Sequence, residues 1–165
     1  MKLDKFICKS YRGHKGSLKF SWSSPSNIAL VKYWGKNKDQ TPKNSSISFT
    51  LSNCNTKTSV VFSKIEKKLD TVLFTISYDG KIQNDFRPKI EKYFASIIQY
   101  CPYLLHFNLE INTKNTFPHS SGIASSASGM SALSLCIMSL EKEITKEDLS
   151  ANFFFLKASF LSRIG

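Results

Sequence analysis

Pro118-His-Ser-Ser-Gly-Ile-Ala-Ser-Ser-Ala-Ser-Gly129 is a stretch of almost uniformly small side chains. It follows an alternating run, Phe107 to Ile111. It leads into Ile123, Ala127, Met130, Leu133, Ile137 and Leu140 at helical spacing, with Ser134 in the same stripe. A strand that passes through such a loop into a long, largely apolar helix requires a layer for that helix to pack on. The junction therefore restricts the chain to a layered fold containing both sheet and helix.

The rest of the pattern agrees. Leu18 to Trp22, Ile28 to Tyr33, Ser46 to Leu51, Thr58 to Phe62 and Thr71 to Tyr78 read as extended segments. Asp79-Gly80 before Lys81-Ile82 is a strong hairpin signal. From Asp85 to Tyr100, Phe86, Ile90, Tyr93, Phe94, Ile97 and Ile98 recur at helical spacing. Thr145-Lys-Glu-Asp148 has the form of a capping box opening a last helix, which runs through Phe153 to Phe155 and Phe160 to Arg163. A β-rich first half followed by helix, strand, loop, helix and helix is α+β in one domain. The domain is placed at 21–165, after a basic extension at 1–20.

With 165 residues and 41% hydrophobic content the chain can bury a substantial core. The extension carries Lys2, Lys5, Lys9, Arg12 and Lys15 among isolated apolar residues and lacks the apolar segment of a secretion signal. No run is long and apolar enough to cross a bilayer, and a cytoplasmic protein is the expectation. The four cysteines, Cys8, Cys54, Cys101 and Cys136, are scattered without metal-ligand spacing and read as reduced thiols. Asn44-Ser-Ser46 matches a glycosylation sequon and, without a secretion signal, reads as a chance match. A net charge of +11 favours anionic partners. It is nearly all dispersed lysine rather than arginine forks, which describes a solvated surface better than a nucleic-acid stripe.

The loop Pro118 to Gly129 admits two readings. Small residues let main chain approach a ligand, and the first amides of a helix present N–H groups and positive potential to an anion. Ser/Ala/Gly runs also occur where a helix simply packs closely on a sheet. Position directly after a strand favours phosphate binding. There is no Walker lysine and no G-x-G-x-x-G pattern.

A second constellation is Ser24-Pro-Ser-Asn-Ile-Ala-Leu-Val-Lys-Tyr-Trp-Gly-Lys36. The apolar run Ile28 to Val31 reads as a buried strand that carries Lys32 into the interior. A lysine there requires an anion or a displaced pKa. The commoner arrangement is an edge strand from which Lys32 and Lys36 reach water.

Together the two blocks resemble the GHMP small-molecule kinase superfamily, and Asn27 to Lys36 is similar to the signature of its diphosphomevalonate decarboxylase branch. Asn44-Ser-Ser-Ile-Ser-Phe-Thr-Leu-Ser52, Asn115-Thr-Phe-Pro118 and Gly122 to Gly129 match further blocks of that branch in order. The resemblance implies a fold like ribosomal protein S5 domain 2, forming the N-terminal domain of the superfamily. It implies phosphorylation of the tertiary hydroxyl of mevalonate 5-diphosphate by Mg-ATP, then loss of phosphate and carbon dioxide to give isopentenyl diphosphate in isoprenoid synthesis.

By the same resemblance Lys32 is the catalytic lysine, and Ala29, Tyr33, Lys36 and Arg87 contact the substrate. Pro118, Ser121, Gly122, Ala124, Ser125, Ser126 and Ala127 hold the ATP phosphates, with Ser126 nearest Mg²⁺. His119 falls at a position taken as variable and receives no role, and His14 and His106 have no partner that the sequence reveals. The family continues past the equivalent of Gly165 into a Gly-Ser-Gly-Ser-Ala-Cys-Arg-Ser block and a second half bearing its catalytic aspartate. The expectation is therefore a truncated domain with little activity of its own, and a homodimer at full length. A kinase relative that does not decarboxylate and an S5-like RNA-binding module are the alternatives.

Overall fold

Alternation over the first eighty residues produces β-strands because a period of two places apolar side chains on one face of a pleated sheet. The computed structural model describes residues 3–12, 14–37, 42–118, 121–145 and 149–165. It contains β1 (Ser17–Val31), β2 (Ile47–Lys64), β3 (Leu73–Tyr78), β4 (Lys81–Ile82) and β5 (Phe107–Asn115). The helices are α1 (Arg87–Ile97), α2 (Ser125–Thr145) and α3 (Ala151–Arg163). The sheet has the order β1-β2-β5-β3-β4, antiparallel except for the β3–β5 pair.

Two pairs of expected strands are in fact single long ones. β1 runs 15 residues straight through Ser23 to Asn27, and β2 runs 18 residues through Ser52 to Lys57. Pro25 lies inside β1, which is at the edge of the sheet, where proline's missing N–H costs no ladder bond. The strand absorbs the proline with a register shift between Pro25 and Ser26. The Asp79-Gly80 turn is as the sequence implies: both residues have positive φ, 50° and 78°, which suits a two-residue hairpin between β3 and β4.

One face of the sheet is dry. Phe74, Ile76, Val60, Phe62, Phe107, Leu109 and Ile111 are buried on it under the helices. The opposite face carries Ser17–Ser63 and Ser21–Ser59 hydroxyl pairs at 2.9 and 2.6 Å, beside exposed Lys57, Glu110 and Lys114. α2 is buried on several sides, including Met130, Leu133, Cys136, Ile137, Met138 and Leu140, because it lies between the sheet and α3. Its stripe serine, Ser134, is fully buried and meets the Tyr93 hydroxyl at 2.8 Å.

The last helix does not begin at Thr145. That residue closes α2, its hydroxyl donating to the Glu141 carbonyl at 2.8 Å, as threonines late in helices often do. The cap of α3 is Ser150, whose hydroxyl accepts from the Phe153 amide at 3.2 Å. The remainder of the expected capping box, Lys146 to Asp148, lies outside the described residues, as does His119.

Part of the basic extension belongs to the core. Phe6 is fully buried and stacks on Phe160 with ring centroids 4.5 Å apart. The Cys8 and Arg12 amides donate to Tyr100 and Ile144 carbonyls at 3.0 and 2.8 Å. Close by, Lys157 and Glu141 form a buried ion pair at 2.6 Å, and Lys157 also donates to the Tyr100 carbonyl at 3.2 Å.

Candidate functional site

The small-residue loop folds tightly because Gly122 and Ala124 both adopt left-handed backbone, φ 79° and 58°. Glycine does so freely. For alanine the conformation costs about 1 kcal/mol, a strain that tends to persist where function over-determines it. Immediately after this reversal α2 starts, with the Ala127 and Ser128 amides donating to the Ala124 carbonyl at 3.1 and 3.2 Å. The amides ahead of them have no intrahelical acceptor and provide an anion-binding end.

The serines of the loop separate into two kinds. Ser128 is buried, 2.6 Å from the Thr56 hydroxyl, and serves packing. Ser126 is exposed and accepts a hydrogen bond from the Lys89 ammonium of α1. Ser125 is half-buried, while Ser121, Gly122, Ala127 and Pro118 are exposed.

Beside this helix end lies a cavity of about 360 Å³. Its walls are apolar, with Ile76, Ile90, Ile111, Met130 and Leu133. Its polar floor is Thr56, Thr58, Thr113 and Asn115, and Asp85, Lys89 and Ser126 also line it. The floor is largely internally bonded, Thr56 to Asn115 at 2.8 Å and Thr58 to Thr113 at 3.0 Å. Among the described residues the buried donor Asn115 Nδ2 has no partner. An apolar slot with a few polar groups, opening beside a helix N-terminus, has the composition of a small-molecule site.

The second block meets this loop through Ser26. Its side chain is fully buried and its hydroxyl donates to the Ile123 carbonyl, so the start of the Ser24–Lys36 block meets the small-residue run at Ile123. Beyond Ser26, β1 and the start of β2 continue as a two-stranded ribbon, with Ile28 opposite Phe49 and Val31 opposite Ile47. β5 pairs with β2 only from Thr56 onward, so among the described residues no third strand joins the ribbon.

Of the two settings open to Lys32, the structure shows the edge strand. The lysine is not carried into the interior: Leu30 and Val31 before it are 64% and 53% exposed, and Lys32, Tyr33, Trp34 and Lys36 are exposed too. An apolar run signals burial only where a neighbouring layer exists, and the ribbon overhangs the helix layer. Ala29, half-buried, pairs with Ser48 in the ribbon.

The loop 32–37 is shaped by a residue that the sequence flagged only within a block. Asn44 accepts from the Trp34 amide at 2.7 Å and donates to the Lys32 and Ser45 carbonyls at 3.3 and 2.9 Å. Gly35, at φ 82°, lets its carbonyl accept from the Lys43 amide at 3.2 Å. The signal available was an asparagine before a strand, a residue type whose side chain organises neighbouring main chain.

Arg87 stands apart from this group. It pairs with Glu91 at 2.8 Å, donates to the Phe74 carbonyl at 3.3 Å and lies 4.8 Å from the Phe74 ring centroid. β3, which it touches, is three strand spacings from β1, roughly 14 Å. Among the described residues no three His, Cys, Asp or Glu side chains gather to hold a metal. A Mg²⁺ ion here fits only in its usual manner with nucleotides, on phosphate oxygens, water and one or two protein oxygens such as Ser126 Oγ.

Residues 24–153 match the family described as diphosphomevalonate decarboxylase-like N-terminal domain. Diphosphomevalonate decarboxylase of Candida albicans is 37% identical over 132 residues, covering 73% of this chain and 35% of its own length. That of Saccharomyces cerevisiae is 37% identical over 129 residues, with 73% and 33% covered. The chain thus spans about a third of the length of the curated relatives it matches. Mevalonate diphosphate decarboxylase from Staphylococcus aureus superposes with a TM-score of 0.67 at 28% identity, over 90% of this chain and 41% of that one. The protein MDDEF in complex with MVAPP, AMPPCP and magnesium gives 0.64 at 27%, over 88% and 43%. No helix of the described residues is long and apolar enough to cross a membrane.

Proposed function

Because this chain belongs to the diphosphomevalonate decarboxylase-like N-terminal domain family, we propose that it forms the ATP-phosphate cradle and one wall of the substrate site for ATP-dependent decarboxylation of mevalonate 5-diphosphate. The observation that carries this is the Ser26–Ile123 bond, which ties the base of the lysine-bearing ribbon to the small-residue run. The similarity to a protein bound to MVAPP, AMPPCP and magnesium supports it.

In this reading the triphosphate lies along Pro118, Ser121, Gly122 and Ala124 to Ala127, where amides without helical partners accept its charge. The neighbouring apolar slot takes the nucleoside, and Asn115 Nδ2 is a donor free to meet it. Ser126 Oγ contributes to Mg²⁺, which when bound neutralises charge on the phosphate oxygens. Tyr33, Lys36 and Ala29 line the substrate's diphosphate, and Lys32 stabilises charge developing on the transferred phosphoryl group. Because Lys32 is exposed, its side chain can turn to follow that group. Arg87 is assigned to substrate by resemblance alone, since the fold holds it on the β3 side.

The reaction transfers the γ-phosphoryl of ATP to the tertiary hydroxyl and leaves ADP. Departure of that phosphate then draws the electron pair of the breaking carbon–carboxylate bond into the new double bond. Carbon dioxide, phosphate and isopentenyl diphosphate result. No carboxylate of this chain is assigned to receive the hydroxyl proton. Homodimer formation rests on family resemblance alone.

Titration calorimetry of the chain with MgATP and with mevalonate 5-diphosphate tests the binding roles, and release of labelled carbon dioxide from carboxyl-labelled substrate tests the chemistry. Binding of both ligands is expected. Failure to bind either would remove the reading.

A further inference from the structure

Two basic side chains occupy the first turn of α1 and face different work. Arg87 is committed to its own neighbourhood, Glu91 and Phe74. Lys89 instead reaches over the cavity mouth and places its ammonium on Ser126 Oγ, at the head of α2.

That is the wrong charge for the place. The N-terminal end of a helix is positive, so a cation parked there gains one hydrogen bond against an unfavourable field. Asp85, which lines the same cavity, offsets part of that field. Both Lys89 and Ser126 are exposed, so the contact is weak and exchanges readily. An anion entering between them would satisfy the ammonium, the helix end and the hydroxyl at once.

Resting on the nucleotide reading above, we infer that Lys89 is a specificity residue that selects nucleotides by phosphate count. In this structure its ammonium sits on Ser126. With ATP bound it moves to the terminal phosphates and releases the Ser126 hydroxyl to the metal that accompanies them. The cavity walls hold the nucleoside in either case, so Lys89 discriminates ATP from AMP without affecting AMP itself.

The test compares MgATP, MgADP and AMP binding to the unaltered chain and to Lys89→Met and Lys89→Arg variants, at low and moderate salt. Lys89→Met is expected to weaken MgATP at least tenfold, to leave AMP within twofold and to flatten the salt dependence of MgATP binding. Lys89→Arg is expected to retain most of the affinity. Unchanged MgATP affinity in Lys89→Met overturns the assignment, as does an equal loss for AMP and MgATP, which would make Lys89 only a prop for the loop. An unaltered chain that binds no adenine nucleotide overturns the nucleotide reading itself, and this inference with it.

Discussion

The buried Ser26 hydroxyl donates to the Ile123 main-chain carbonyl, joining the edge strand to the loop that launches α2. Between Ser26 and Lys32 the ribbon is uncovered, so this bond is a principal restraint on where the lysine-bearing tip sits relative to the helix end. It also explains why β1 must pass through Pro25 without breaking. A turn at that point would carry Ser26 away from the loop.

Ser26→Ala should therefore do two things. It leaves a carbonyl without its partner and should lower unfolding free energy by about 1–2 kcal/mol in urea titrations. It should also weaken MgATP binding several-fold, since the loop loses its tie. A stability loss with unchanged nucleotide affinity would show that the bond holds the fold but not the cradle.

The Glu141–Lys157 pair makes a sharper stability prediction. Both side chains are nearly inaccessible and the ammonium has a second acceptor in the Tyr100 carbonyl. Removing one charge strands the other in a dry core. Lys157→Met alone should cost on the order of 3–5 kcal/mol, whereas the double change Glu141→Leu with Lys157→Met should recover most of it. Equal losses in single and double variants would mean that packing, not the stranded charge, sets the cost.

Two thiols should make the domain alkali-sensitive. Burial pushes Cys101 up to about 12 against the opposing Lys157 ammonium, and pushes Cys136 up to about 12 against backbone hydrogen bonds. In the unfolded chain both lose their protons near the ordinary value of 9.0. The folded state then holds more protons than the unfolded one. The stability these thiols contribute is complete below pH 9 and declines as pH rises from there toward 12. The expected slope is about 1 kcal/mol per pH unit for each thiol. Urea midpoints at pH 8, 9 and 10 measure it, and replacing Cys136 by alanine should make the decline shallower. Half-buried Cys54 should react first with a thiol reagent.

How much of this was legible in the sequence depended on whether local pattern and tertiary setting agree. The Asp79-Gly80 turn and the α2 stripe carry their structure in neighbouring residues and appear where the pattern puts them, while the small-residue run has already become helix at Ser125. Ser23 to Asn27 joins two extended segments into one strand only because the sheet order gives Pro25 an edge position. Lys32 admits a buried and an edge-strand reading because Ile28 to Val31 are apolar, and the exposure of Ile28, Leu30 and Val31 selects the edge-strand one. Lys89 drew no attention, since a lysine on an amphipathic helix is ordinary until α2 is placed beside it. Ser150 was passed over for Thr145, which offers the same chemistry but is used to finish a helix rather than to start one.

The exposure of Lys32 gives the last prediction its power. A lysine that was buried and paired would, on replacement, lose stability and function together, and the two could not be separated. Here the side chain lies on an overhanging loop whose shape is held by Asn44 through main-chain atoms, not by the ammonium. Lys32→Ala should accordingly shift unfolding free energy by no more than about 0.5 kcal/mol. In the full-length protein, if the lysine stabilises the transferred phosphoryl group, the same change should lower ATP-dependent carbon dioxide release at least a hundredfold, roughly 3 kcal/mol of transition-state stabilisation. Asn44→Ala should behave differently, loosening the loop and raising the substrate concentration needed. Near-normal turnover in Lys32→Ala would remove the lysine from the chemistry and leave the ribbon as a binding wall alone.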